Sequence, residues 1–168
     1  MVEILRPTHP YVKVKGKWCY LYRAIDKRGN TVDFYLSRTR NTKAAKRFLG
    51  KALKSLPSWA HPQAINTDKA ASYMSAISHL KAEGKCPPDM KHRSVKYLNN
   101  RIESDHGKLK RLIKPALGFK SLKTAFATLK GFEVMRMFRK GQFKKWTGEN
   151  DLLGEIRLIN KQFNIYTA

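Results

Sequence analysis

Acidic residues are scarce in this chain. Twelve Asp and Glu stand against thirty-five Lys and Arg in 168 residues, giving a formal net charge of +23 and a pI near 10.3. Self-repulsion of that size works against compaction, so the deficit points to a polyanionic partner. Solubility alone needs far less charge. Nucleic acid is the leading partner and an anionic membrane surface the second. Long apolar runs are also missing: none approaches the ~20 residues of a spanning helix, and no signal-peptide core follows Met1. Cysteine is nearly absent. Cys19 and Cys86 lack CxxC spacing, which excludes a disulfide framework and a zinc ribbon. His92, six residues after Cys86, has no second ligand pair to join. A reducing cytoplasm is the expected compartment.

What is present reads as alternating strands and helices. Tyr11 to Lys15 alternates Val12 and Val14 with Lys13 and Lys15, the period of a half-buried strand. Gly16 marks a turn, Trp18 to Ile25 is β-rich, and Lys27-Arg28-Gly29-Asn30 is a second turn before the strand Thr31 to Leu36. Asn41 offers an N-cap to a helix carrying Ala45, Phe48, Leu49, Ala52, Leu53 and Leu56, stopped before Pro57. Gln63 to Thr67 reads as a short strand ending at Asp68. Tyr73, Ile77 and Leu80 trace a second helix closed by Gly84, and Ser94 to Tyr97 a brief strand. From Asn100 a helix with the apolar stripe Ile102, Leu109, Leu112, Ile113 and Ala116 runs to Pro115, which ends or kinks it. A last strong helix carries Leu122, Ala125, Phe126, Leu129 and Phe132, and the tail is basic, then mixed. Three antiparallel strands, then a helix and a strand able to join the same sheet, give the order of a ribonuclease H-like α/β fold. Its mixed sheet would be a three-stranded meander plus added strands, flanked by helices.

Two of the few acids fall where chemistry is possible. Asp68 closes the strand text INTDKA, and Glu103 lies in NNRIESDHGKLKR at the start of a helix. Helical spacing puts Glu103, His106, Gly107 and Lys110 on one stripe. Carboxylates suit Mg²⁺, a hard ion preferring oxygen, and paired ions can clamp both oxygens of an in-line phosphoryl displacement. Spacing alone leaves open that Asp68 caps a turn and Glu103 complements a helix dipole.

INTDKA and NNRIESDHGKLKR, with thirty-four residues between their acids Asp68 and Glu103, resemble the segments of the second and third acids of DDE transposases. YVKVKGKWCYLYRAIDKRGNTVDFYLS, HRSVKYLNNRIESDHGKLKR and LGFKSLKTAFATLKGFEVMR are, more narrowly, similar to the bacterial insertion-sequence six family. The resemblance implies an unmatched leader over 1–10, a ribonuclease H-like core over 11–141 and a tail over 142–168. In intact relatives such a core cuts DNA ends and joins them to a target with Mg²⁺ or Mn²⁺. It implies Asp68 and Glu103 as metal-binding catalytic acids, and Lys108, Lys110 and Arg111 as a basic face along DNA phosphates. Lys69, Arg93, Arg101 and His106 are weaker DNA-contact candidates. The implied setting is the bacterial cytoplasm and nucleoid, with DNA as partner, no membrane, and a further copy or full-length transposase in an oligomer.

One position departs from the pattern. Where the family reads Asp-Glu-Thr-Tyr, this chain has Thr8-His9-Pro10-Tyr11, so a hydroxyl stands at the first-acid position. The family's helix-turn-helix for end recognition would also need more than the seven residues before Thr8. The expectation is a truncated, impaired copy, or a non-catalytic DNA-binding remnant that joins and inhibits full-length transposase. An unrelated RNA-binding or ribosomal-type protein is the third alternative. Of the possible substitutes, Glu3 falls on the opposite face of a continued strand by parity. Asp26 shares Thr8's face only if Thr8 pairs with Ala24.

Overall fold

Aromatic residues at every second position, Trp18, Tyr20 and Tyr22, favour an extended strand over Lys17–Asp26, and this ten-residue strand organises the molecule. A computed structural model describes residues 2–5, 11–57, 61–67, 71–94, 100–144 and 151–163. In chain order the elements are β1 (Val2–Leu5), β2 (Tyr11–Val14), β3 (Lys17–Asp26), β4 (Thr31–Ser37), α1 (Thr42–Lys54), β5 (Ala64–Thr67) and α2 (Ala71–Ala82). There follow β6 (Lys91–Ser94), α3 (Asn100–Ile113), α4 (Leu122–Arg139) and α5 (Leu152–Phe163). β4 lies along one edge of β3; β2 and β1 both pair antiparallel with its other edge. β1 then pairs parallel with β5, and β5 parallel with β6.

The turns are set by residue chemistry. Lys15 and Gly16 both have positive φ (50° and 74°), the requirement of a two-residue primed hairpin turn matched to strand twist. At the next turn the Asp26 carboxylate accepts from the backbone N–H groups of Arg28 (2.8 Å) and Asn30 (2.9 Å) and from Asn30 Nδ2 (3.0 Å). α1 begins where Asn41 Oδ1 accepts from Ala44 N at 2.9 Å, and α4 begins with a Ser121/Thr124 capping box.

Both sheet faces are covered. Tyr22, Ala24 and Ile65 pack under Phe48 and Leu49 of α1 and Tyr73, Ile77 and Leu80 of α2. On the other face Cys19, Leu21, Val12, Val14, Phe34 and Leu36 meet Leu109 and Ile113 of α3 and Ala125 and Leu129 of α4. Each fully buried side chain of this size contributes about 1.5–3 kcal/mol of transfer free energy. Both cysteines are buried free thiols, and burial pushes each above the ordinary thiol value. The segment after α3 is tied to the sheet: Lys15 N donates to Phe119 O (2.9 Å), and Phe119 N to Lys13 O (2.8 Å).

Two expectations need correction, the brief strand and Leu112, and two segments read without named elements carry one each. Val2–Leu5, within the leader, is a strand in the sheet interior between β3 and β5. The brief strand expected at 94–97 is β6, three residues earlier; residues 95–97 lie outside the described ones. Leu112, assigned to the apolar stripe of α3, is 38% exposed, because the seam runs through Leu109 and Ile113 and leaves Leu112 at its margin. The mixed tail contains a helix, α5, packed against α4.

Candidate catalytic centre and nucleic-acid surface

Asp68, expected as the second acid, comes next in the chain after β5. Asn66 and Thr67, the last residues of that strand, are buried despite being polar. Thr67 Oγ1 lies 2.7 Å from Nε2 of His92 on β6, a side-chain bond tying the end of β5 to its neighbour. Burial, then the positive charge of Lys81, push the His92 imidazole below its ordinary value, which favours the neutral ring. His92 thus bonds a threonine one residue before Asp68. Asp68 itself, with Lys69, lies outside the described residues.

The third acid belongs to the first turns of α3, a helix packed against both β1 and α4. The side chains of Glu103, Arg101 and His106 lie outside the described residues; their backbone is helical. Farther along the same helix Lys108, Lys110, Arg111 and Lys114 are all exposed, while Leu109 and Ile113 are buried. Gly107 is exposed too, and a Cβ added there would meet nothing within 4 Å. α3 therefore presents a run of cations beside an open glycine. Arg93 is exposed on β6.

Strand register bears on the position that the family resemblance gives to a first acid. β2 pairs Tyr11 with Tyr20, and an unbroken strand would carry that register to residue 8 opposite Arg23. The residue opposite Arg23 is Leu5. Five residues separate Leu5 from Tyr11, whereas their partners Arg23 and Tyr20 are separated by two, so this side of the ladder has three residues more. Thr8 lies outside the described residues. Because three is odd, the parity expected for Glu3 is reversed: Glu3 stands opposite Ile25, two positions from the Leu5–Arg23 pair. Asp26 pairs with Val2, and its carboxylate is engaged in the β3–β4 turn.

Arg23 has a role that sequence reasoning did not assign. Its guanidinium is wholly buried and binds Glu133 of α4 through two bonds, Nε to Oε1 at 2.6 Å and Nη2 to Oε2 at 3.0 Å. Thr31 Oγ1 donates to Glu133 Oε2 at 2.9 Å. An arginine inside the apolar text CYLYRAI and a glutamate inside GFEVM were the available signals, since such charges are almost never fully buried unless paired. Among the described residues no three His, Cys, Asp or Glu side chains gather as a metal site. The donor chemistry that fits Mg²⁺ is that of Asp68 and Glu103, both hard oxygen ligands.

A mixed sheet with helices on both faces fits a DDE-type domain, and a family model described as a DDE domain matches residues 8–142. The chain belongs to the DDE transposases of the insertion-sequence six family. It is 38% identical over 133 residues to the transposase for insertion sequence-like element IS431mec of Staphylococcus aureus (strain Mu50), covering 79% of this chain and 56% of that protein. The same figures hold for the Staphylococcus aureus transposase for insertion sequence element IS257 in transposon Tn4003. An uncharacterized protein, pYV0051 of Yersinia pseudotuberculosis serotype I, is 49% identical over 75 residues, 45% of this chain and 70% of its own. This chain spans just over half the length of the staphylococcal relatives.

Proposed function

We propose that this chain is the ribonuclease H-like catalytic domain of an insertion-sequence transposase, built to hold DNA and lowered in cutting and joining it. The strand order supports the fold: an antiparallel meander whose inner strand line continues in parallel to β5 and β6, with helices on both faces. Asp68 and Glu103 would hold the divalent metal, Mg²⁺ or Mn²⁺, which when bound activates a water or hydroxyl and stabilises the leaving oxygen. Lys108, Lys110 and Arg111 hold the phosphate backbone. Lys69, Arg93, Arg101 and His106 are secondary contacts.

The observation that carries the lowered competence is the register at Arg23. Thr8 stands at the first-acid position by sequence and Leu5 by strand pairing, and neither supplies a carboxylate. The same observation favours a second reading, a non-catalytic DNA-binding form acting in an oligomer with full-length transposase.

A Mg²⁺- or Mn²⁺-dependent nicking assay on duplex DNA tests this. Little or no cleavage is expected of the native chain. Restoring the acid should raise it by about 10²–10³-fold, the scale on which single charge-stabilising groups act, and Glu103→Gln should abolish the gain. If the strand register defines the slot, Leu5→Asp restores more than Thr8→Asp. Native cleavage that Glu103→Gln removes would show the site to be competent as it stands.

A further inference from the structure

α1 is a cationic helix with no acid. Its sequence TKAAKRFLGKALK holds Lys43, Lys46, Arg47, Lys51 and Lys54. A helix stabilised for its own sake interleaves both signs, and like charges at i, i+3 and i, i+4 cost about 0.2–0.5 kcal/mol per pair. Here Lys43/Arg47 and Arg47/Lys51 are such pairs, and Lys43 sits in the first turn, against the helix dipole. The arrangement is unfavourable in the isolated chain, and an external anion would relieve it.

The cations line one concavity. A groove of about 790 Å³ is bordered by these five residues and by Lys85, with Gly50 and Leu80 among its walls. Some of the charge is already neutralised. Glu83 bonds Lys46 and, at 2.8 Å, Lys85, and these bonds, Lys46 first, hold its carboxyl down to about 2. Lys51 bonds Asp33 and Phe34 O. Lys43, Arg47 and Lys54 are exposed and pair with no acid among the described residues. They lie along one helix face, with about 6 Å of axial rise from Lys43 to Arg47 and about 10.5 Å from Arg47 to Lys54. The core under α1 is on the sheet face opposite the core under α3, so this stripe is not a continuation of Lys108, Lys110 and Arg111.

We propose that the α1 groove is a second DNA-backbone site, in which phosphates of a duplex segment other than the one along α3 seat on Lys43, Arg47 and Lys54. This rests on the reading of the chain as a DNA-handling domain. A chain that must bring two duplex segments together needs two separated cationic surfaces, and the fold supplies one on each face of the sheet.

The test compares Lys43→Gln/Arg47→Gln/Lys54→Gln with Lys108→Gln/Lys110→Gln/Arg111→Gln. The charge-matched control on the C-terminal surface is Lys144→Gln/Arg157→Gln/Lys161→Gln. Glutamine keeps helix propensity close to that of lysine. Binding of a short duplex is followed by anisotropy against salt, and stoichiometry by sedimentation. The native chain is expected to take two duplexes and each of the first two variants one. Each should lose about 2.7 from the log–log salt slope, three contacts at about 0.9, with the control nearly unchanged. If the α1 variant matches the native chain while the α3 variant weakens, the groove is not a DNA site and the DNA reading stands. If the control loses as much as the α1 variant, only net charge acts and the groove proposal fails. If native binding is indifferent to salt, the DNA reading itself falls.

Discussion

Arg23 shows what a single residue contributes here. A buried guanidinium is tolerable only because Glu133 receives two of its N–H groups and Thr31 completes the carboxylate's bonding. Removing one partner leaves a charge buried without compensation, whereas replacing both by apolar groups does not. Arg23→Met and Glu133→Gln are each expected to cost about 3–5 kcal/mol in urea unfolding. The double variant Arg23→Met/Glu133→Leu should lose far less than their sum. A single-variant loss below about 1 kcal/mol would show that the pair does not hold α4 to the sheet. Each residue was visible in the sequence as a charge in apolar surroundings. Their pairing was not, because they stand 110 positions apart and only the α4-to-sheet contact joins them.

At the scale of the element, α3 was the most legible and the strand around the first acid the least. Helical periodicity and the buried pair Leu109 and Ile113 agree, since 3.6-residue repetition is a local property. Which side of the helix meets the sheet is not local, and Leu112 lies at the margin of that contact. Gly107 is unusual in the middle of such a helix: its φ is not positive and a Cβ would have open space. Gly107→Ala is therefore expected to stabilise the chain by about 0.5–1 kcal/mol, raising Tm by about 1–4 °C in a thermal melt. A simultaneous drop in duplex affinity would mean that the glycine admits close approach of DNA, and an unchanged affinity that it does not. The strand before Tyr11 was obscured by Pro7 and Pro10, which cannot donate to a central ladder. β1 ends at Leu5 and β2 starts at Tyr11, and both prolines lie outside the described residues.

The whole molecule carries +23, and this sets a behaviour no single residue explains. Self-repulsion lowers the stability of the free chain and attracts the polyanion, and salt screens both. Raising ionic strength from about 10 mM to about 150 mM, where the Debye length is ~8 Å, should raise the melting temperature of the free protein. It should weaken duplex binding over the same range. Parallel movement of the two quantities would contradict an electrostatic origin for either.

Composition by itself pointed to a polyanionic partner, because net charge is a sum that needs no coordinates. Turn and cap residues and the two periodicities likewise determined most elements, including the placement of Glu103 in a helix and of Asp68 after a strand. They act within a few residues of chain. The tertiary structure alone decided which residue meets Arg23 across the ladder. Side-chain parity counts along one continuous strand, and three additional residues between Leu5 and Tyr11, relative to β3, shift the register by an odd number. The same holds for the α1 stripe: its cations were plain in the sequence, but their assembly into one groove, on the sheet face opposite α3, depends on which helices pack together.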